Sequence, residues 1–566
     1  MQKREYLYLL PLVLITCTVF SNALTGEFLY DDKPYITDNP QVTGETRLGA
    51  VFLQSTPPDQ PDLGLYRPFF VLTLRLNHFL SGFKPSAFHG TNLFIHILAT
   101  AALFFLIRRL SANPAGAFLG ALLFAVHPVH VEAVTWIVGR AELLSCLFCL
   151  LAALMHFRTR PNPWLAVLEG VFFSAAILSK ENAMAFPAVL WLLEYFTERE
   201  RMSRLSVMKT LKGYWIYAVL VVGLFLLRYE VLGRLSPAIE TAPFKDVGLP
   251  GRFEAALSSL AEYIRLFAFP HPLKIFYHIS EIRDLNLSRW IILLASATLI
   301  VLAIRRKSRM LPWMLWVPFT LIPVLNVVPI GAVFAERFFY LPSVGACAAL
   351  GIGMASLIRG EQDSRGTHIS VWIPTAMALG FGIMTFARNP AFDNSYVLWK
   401  DATLKGEEFA FPHYNLGEAY FDKEIFEFQS PEVQGAVREF TESLRLKPDH
   451  PYAFSAHYRL GQYFQMKYSR VARETRYLRQ AVDHYKESLR LAPPVLESKQ
   501  KPALLLAQIP CVQGGFQLIS LEQALGYLKL AESFGMTKET VFKVESALYA
   551  LQDTVKKQTR RKDDEK

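Results

Sequence analysis

The sequence predicts an all-α protein: a polytopic membrane helical bundle of about eleven spans followed by a C-terminal helical-repeat domain. Three observations carry this expectation. Hydrophobic residues make up 52% of the 566-residue chain and its mean hydropathy is +0.23, whereas Asp, Glu, Lys and Arg together reach only 19%. Apolar runs close to the length of a bilayer crossing, about 17–25 residues, recur as far as residue 386. Beyond residue 388 small and aromatic residues recur with the spacing of paired repeat helices.

The eleven runs lie near 6–23, 88–107, 115–131, 141–157, 164–179, 183–196, 213–230, 289–304, 312–329, 339–357 and 370–386. The first has the charge pattern of a signal peptide, with Lys3 and Arg4 before a short apolar stretch, but is read as an uncleaved anchor. Residues 253–269 are helical in pattern yet contain Glu254, Glu262 and Arg265, so they are expected as an in-plane or re-entrant helix. Basic residues in short loops set orientation. Lys3/Arg4, Arg108/Arg109, Arg158/Arg160, the group Arg199, Arg201, Arg204, Lys209 and Lys212, and Arg305/Arg306/Lys307/Arg309 all fall on one face when spans alternate. That face is read as cytoplasmic, and everything after about residue 388 as extracytoplasmic. These loops account for the net charge of +10, which leaves nucleic-acid binding without support. Five cysteines give no disulfide framework, and Cys146 and Cys149 sit in an apolar run without histidine partners.

The domain expected at 389–554 has tetratricopeptide-repeat (TPR) spacing. Leu416, Gly417 and Tyr420 mark one helix, answered by Ala436, Phe440, Leu444 and Pro448 on the next. Leu460, Gly461 and Phe464 are answered by Ala481, Tyr485, Leu489 and Pro493, with about eight extra residues between the helices of each pair. Ala524, Leu528 and Ala531 close the array, and the charge run 555–566 is expected to be a disordered tail.

Under this topology the polar motifs gather on the outer side. They are Tyr30-Asp31-Asp32, Tyr66-Arg67-Pro68, residues 127–142 with His127, His130, Glu132 and Arg140, Ser179-Lys180-Glu181-Asn182, and 334–343 with Glu336 and Arg337. Ionisable groups at membrane depth are costly, so such clustering marks a candidate site. The plainer alternatives are surface carboxylates at Asp31 and Asp32, hydrogen-bonding histidines, and local ion pairs between Lys180 and Glu181 or Glu336 and Arg337. Pro128 lies between His127 and His130, and no third metal ligand accompanies them.

The stretches FLYDDKPYITDNPQV from 28, YRPFFVLTLRLNHFL from 66, FAVHPVHVEAVTWIVGRAELL from 124, SKENA from 179 and FAERFFYLPSVG from 334, followed by the repeats, carry a family likeness. Together they resemble the transmembrane and TPR-containing (TMTC-type) protein O-mannosyltransferases. The resemblance implies a GT-C-type membrane domain over 1–388 and a polyprenyl- or dolichyl-phosphate sugar donor. It also implies acidic residues of the first outer loop, Asp31 and Asp32, as the catalytic element. Such a donor carries a good leaving group, so one carboxylate serves as base for an inverting displacement. Arg67, Arg140, Lys180 and Arg337 are the candidates for holding the phosphate, with His127, His130, Glu132, Glu181 and Glu336 as a supporting polar cavity. No cofactor is expected, metal dependence stays open, and the absence of a cytoplasmic DxD loop argues against a nucleotide-sugar donor. The acceptor is expected to be protein, held through the repeats, and the location a bacterial inner membrane with the repeats in the periplasm, the ER membrane being the alternative. Two other classes compete. A transporter would show internal repeats among the spans, and a membrane-anchored TPR scaffold would need no polar cavity. Transfer to lipid or glycan is a third, still enzymatic, possibility.

Overall fold

Each of the eleven apolar runs contains a helix in the computed structural model, which describes residues 3–58, 63–158, 163–198, 214–234, 244, 246–362, 369–421, 430–471, 473–493, 496–513 and 517–564. The chain divides into two compact units, Met1–Leu398 and Trp399–Lys566, and no strand occurs among the described residues.

The first unit is a multi-pass membrane bundle. Its principal helices are α1 (Leu9–Val19), α2 (Pro68–Ser81), α3 (Pro85–Ser111), α4 (Pro114–Val126), α5 (Arg140–His156), α6 (Pro163–Ser179) and α7 (Phe186–Glu198). They continue with α8 (Trp215–Leu232), α9 (Leu249–Ala268), α10 (Leu287–Arg305), α11 (Leu311–Leu321), α12 (Tyr340–Gln362) and α13 (Ile369–Arg388). Among the described residues, five helices are by themselves long and apolar enough to cross a membrane. These are Pro85–Ser111, Ile137–His156, Trp215–Leu232, Leu287–Arg305 and Glu336–Ile358, and Pro114–Val126 with Pro128–Thr135 is apolar enough as a pair bent by 51°. Tyr6–Val19, Pro163–Ser179 and Leu311–Val324 are apolar but shorter. Pro128, which lacks a backbone donor, breaks the third run.

The expected helix at 253–269 is present as α9, with Glu262 bound by Arg265 at 2.6 Å and by Arg289 at 3.6 Å. Its Tyr263 ring stacks on Phe334 at 4.1 Å, and the hydroxyl donates to the Ala335 carbonyl at 3.0 Å. Arg108 and Arg109 lie in the last turn of α3, and Arg305 ends α10. Arg160 and the basic group from Arg199 to Lys212 lie outside the described residues.

The second unit is the repeat array: α14 (Ala410–Phe421) with α15 (Pro431–Leu446), α16 (Ala453–Arg470) with α17 (Thr475–Leu491), then α18 (Leu496–Gln513), α19 (Leu521–Ser533) and α20 (Lys538–Asp564). The small-residue positions of the motif are where helices touch. A Cβ on Gly461 would lie 2.5 Å from the Tyr485 ring, so only glycine lets α16 and α17 approach this closely. Ala436, Phe440, Ala481, Ala524, Leu528 and Ala531 are buried as the pattern requires. Two expectations change. The extra residues of the second pair lengthen α16 and α17, joined across only 471–474, instead of forming an inserted loop; those of the first pair fall at 422–429, outside the described residues. The charge run from 555 continues α20 as helix to Asp564.

Candidate functional site

Chain breaks between the apolar helices, and the first turns of those helices, supply the site. Tyr30 adopts φ +42°, a left-handed conformation costly for a residue with a Cβ, and the next two residues are the acidic pair. Asp32 is fully buried. Its Oδ2 accepts the Leu29 N–H at 3.1 Å and its Oδ1 accepts the Val138 N–H at 3.2 Å, so both oxygens are committed to backbone. Burial and the neighbouring Asp31 charge raise its pKa, against those two N–H groups and Arg140. Asp31 differs in kind: it is only partly buried, and no described residue donates a hydrogen bond to its carboxylate. Burial pushes its pKa up to about 6, with Arg337 opposing the rise and Glu132 adding to it.

Arg337 interacts with Asp31, and Lys180 interacts with Arg337 and Arg67, each cation held by a carboxylate distant in sequence. Arg67, the residue before α2, gives Nε and Nη2 to Glu181 at 3.1 and 2.8 Å. Lys180 pairs with Glu142 and lies over the Phe338 ring at 4.5 Å, while Asn182 Nδ2 donates to the second Glu142 oxygen at 3.1 Å. Arg337 pairs with Glu132, its backbone N–H reaches the same carboxylate at 2.8 Å, and its guanidinium sits 5.1 Å over Trp136. The local pairs Lys180–Glu181 and Glu336–Arg337 open to the sequence are therefore not the ones formed. Burial lowers the Lys180 pKa to about 8 against Glu142, with Arg67 and Arg337 lowering it further. Burial works against ionised Glu181, but Arg67, Arg228 and Lys180 hold it far below the usual carboxylate range.

The turn that presents Glu132 and Arg140 rests on Gly139, where a Cβ would lie 2.3 Å from the Ala133 carbonyl oxygen. Arg140 itself is walled in. It donates to Asn92 Oδ1 at 2.8 Å, Asn77 Oδ1 at 2.9 Å, and the Phe88 and Thr73 carbonyls at 2.9 and 3.2 Å. The histidines are also occupied by the protein. His127 contacts the Phe267 carbonyl at 2.9 Å and caps the Val129 N–H at 3.2 Å, and His130 bridges the Phe124 carbonyl and Ser343, both at 2.8 Å. Glu336 accepts from Tyr277 at 2.7 Å and from the Lys274 N–H, apart from Arg337. The described residues contain no group of three or more His, Cys, Asp or Glu placed to hold a metal ion.

Tyr35, Glu142 and Arg228 belong to the cluster without having been singled out in the sequence. Tyr35 feels Asp31, Arg67, Arg337 and Glu181 together, and its pKa is raised, by burial first. Arg228 donates to the Gly64 carbonyl and helps hold Glu181 ionised. A lone arginine in the apolar run Trp215–Leu232 was a legible signal; Tyr35, an uncharged residue in a loop, left none.

Known proteins similar to this chain are protein O-mannosyl-transferases. Protein O-mannosyl-transferase TMTC3 of Homo sapiens is 26% identical over 532 residues, 86% of this chain and 55% of its own length. TMTC4 of Homo sapiens is 28% identical over 490 residues, 73% of this chain and 63% of its own. TMTC1 of Mus musculus reaches 36% identity over 209 residues, 34% of this chain and 22% of its own. The chain spans about half the length of the TMTC3 relatives it matches. The likeness read from the motifs is borne out by these names. No family model matches the chain, and no solved structure matches it.

Proposed function

We propose that Asp31, with Arg67, Lys180 and Arg337, forms the active site of a membrane glycosyltransferase that moves mannose from a polyprenyl-phosphate donor to Ser or Thr hydroxyls of protein. The observation that carries this reading is the contrast within the acidic pair: Asp32 is bonded through both oxygens, whereas Asp31 is unbonded, partly open and has a pKa near 6. A carboxylate of that kind is largely ionised at neutral pH yet more basic than an ordinary one, which suits a general base. The relatives named above supply the reaction class.

In this mechanism Asp31 takes the proton of the acceptor hydroxyl. The acceptor oxygen attacks the anomeric carbon from the side opposite the phosphate, the C1–O bond breaks, and its electron pair leaves on the polyprenyl phosphate, inverting the centre. The developing phosphate charge needs fixed cations in a site of low dielectric. Arg67 has its Nη1 uncommitted among the described residues, and Lys180 spends one N–H on Glu142. Arg140, enclosed by Asn77, Asn92 and two carbonyls, serves as a structural clamp near Asp32 and does not reach the donor.

The reading places this site outside the cytoplasm. Arg140 begins α5 and Pro85 begins α3, while the basic residues Arg108, Arg109 and Arg158 follow at the other ends of the same two helices. The repeats then lie in the same compartment as the site and present a surface for the acceptor polypeptide, in the periplasm of a bacterium in preference to the ER lumen. A reporter fused after residue 400 is active outside the cytoplasm if this is right; cytoplasmic activity refutes the orientation. The activity is tested with purified protein in lipid discs, offered polyprenyl-phosphate mannose, glucose or N-acetylglucosamine and Ser/Thr peptides. Mannosyl peptide of inverted configuration is expected. Transfer only to lipid or glycan overturns the protein acceptor, and no transfer from any donor overturns the enzyme reading.

A further inference from the structure

Tyr35 follows the acidic pair on the same turn and shares its electrostatic surroundings. It lies on the short helical turn Lys33–Thr37, and its N–H donates to the Asp31 carbonyl at 3.2 Å, which stacks it one turn beyond the base. That turn is pinned from both sides. Asn39 Nδ2 donates to the Tyr35 carbonyl at 3.1 Å while its Oδ1 caps the Gln41 N–H at 2.9 Å, and the Tyr35 ring rests 6.3 Å from Phe70. The backbone and ring are thus fixed, yet no described residue exchanges a hydrogen bond with the hydroxyl. The phenol lies within electrostatic reach of Asp31, Arg67, Arg337 and Glu181.

We infer that the Tyr35 hydroxyl is a catalytic hydrogen-bond donor to the donor's phosphate, aimed at the oxygen that parts from the anomeric carbon. This rests on the reading of Asp31 as base and the neighbouring cations as the phosphate site. On that reading the acceptor lies against Asp31 and the phosphate against the cations, and Tyr35 is within reach of both groups. Tyr35 keeps its proton throughout, since burial and Asp31 hold the phenol protonated at any working pH. It stabilises the charge that the departing oxygen gains and forms no covalent bond. A donor that strengthens as that charge develops stabilises the transition state more than the bound substrate. Its loss therefore lowers kcat while leaving donor KM nearly unchanged.

The test is Tyr35→Phe, which retains the ring on Phe70, assayed beside wild type and Asp31→Asn for kcat, donor KM, pH profile and thermal stability. Removal of one such donor costs about 100-fold. The expected result is a fall in kcat of that order with donor KM and melting temperature unchanged. The acid limb near pH 6 should persist, because Asp31 is still the base. Incorporation of 3-fluorotyrosine at position 35, which keeps the O–H, should preserve the rate. Unchanged kcat in Tyr35→Phe, or a loss explained wholly by lower melting temperature, overturns the assignment. If wild type transfers sugar and Asp31→Asn does not while Tyr35→Phe does, Tyr35 alone is refuted. If wild type transfers nothing, the parent reading falls and this assignment with it.

Discussion

Replacing Asp31 by Asn is the perturbation on which the geometry makes its sharpest statement, because activity and stability should move in opposite directions. The rise of the Asp31 pKa from its ordinary 3.8 to about 6 means that the folded protein resists ionising it. At about 1.4 kcal/mol per pH unit, that resistance is worth up to about 3 kcal/mol. The sign follows from linkage. A carboxyl with a raised folded pKa favours the fold while protonated and loses that contribution as pH climbs from about 3.8 to about 6. At pH 7–8 the wild type therefore carries the full cost of a charged Asp31, and Asp31→Asn, uncharged and of the same size, is relieved of it. The variant should melt at or above the wild-type temperature while losing about 10²–10⁴-fold in transfer. Asp32→Asn should do the reverse. Its amide cannot accept both the Leu29 and Val138 N–H groups, and stranding one of them costs about 1–3 kcal/mol. That variant melts lower and keeps more activity than Asp31→Asn. In wild type, kcat should follow the ionisation of Asp31, falling to about a tenth of its plateau one pH unit below the pKa. The assays are thermal unfolding in detergent and initial transfer rates from pH 4.5 to 8.5. Substantial activity in Asp31→Asn, or a lower melting temperature in that variant than in Asp32→Asn, refutes the division of roles.

Other outcomes follow from the same contacts. Arg67→Ala should weaken donor binding and also destabilise, since Glu181 loses its two-pronged partner and keeps only the weaker support of Arg228 and Lys180; adding Glu181→Ala should recover melting temperature without recovering donor affinity. Arg140→Ala should destabilise strongly, stranding Asn77, Asn92 and two carbonyls, and unaltered unfolding would contradict its role as a clamp. Gly461→Ala should destabilise the repeat unit by roughly 1–3 kcal/mol, because its Cβ would lie 2.5 Å from the Tyr485 ring; an unchanged repeat-unit transition in limited proteolysis would show that α16 and α17 can move apart.

The amino-acid sequence by itself determined the helical class, the apolar segments and the repeat motif, because each depends on short-range periodicity or on local apolar content. It also marked most members of the polar cluster, since a charge beside an apolar run is conspicuous without any knowledge of its partner. It read the apolar run 115–131 as one continuous helix, whereas Pro128 divides it into helices bent by 51°. It could not tell Asp31 from Asp32, which are chemically identical neighbours; that difference depends on the Val138 N–H, contributed from 106 residues away. Charge pairing was likewise decided only by the tertiary structure. Lys180 is in extended backbone, φ −158° and ψ 133°, so its side chain and that of Glu181 point to opposite sides. Lys180 therefore meets Glu142 on α5, while Glu181 meets Arg67 ahead of α2. Arg337 likewise turns from Glu336 to Glu132. Adjacent residues share a sequence address but not a direction, and the direction is set by the helices that pack around the turn.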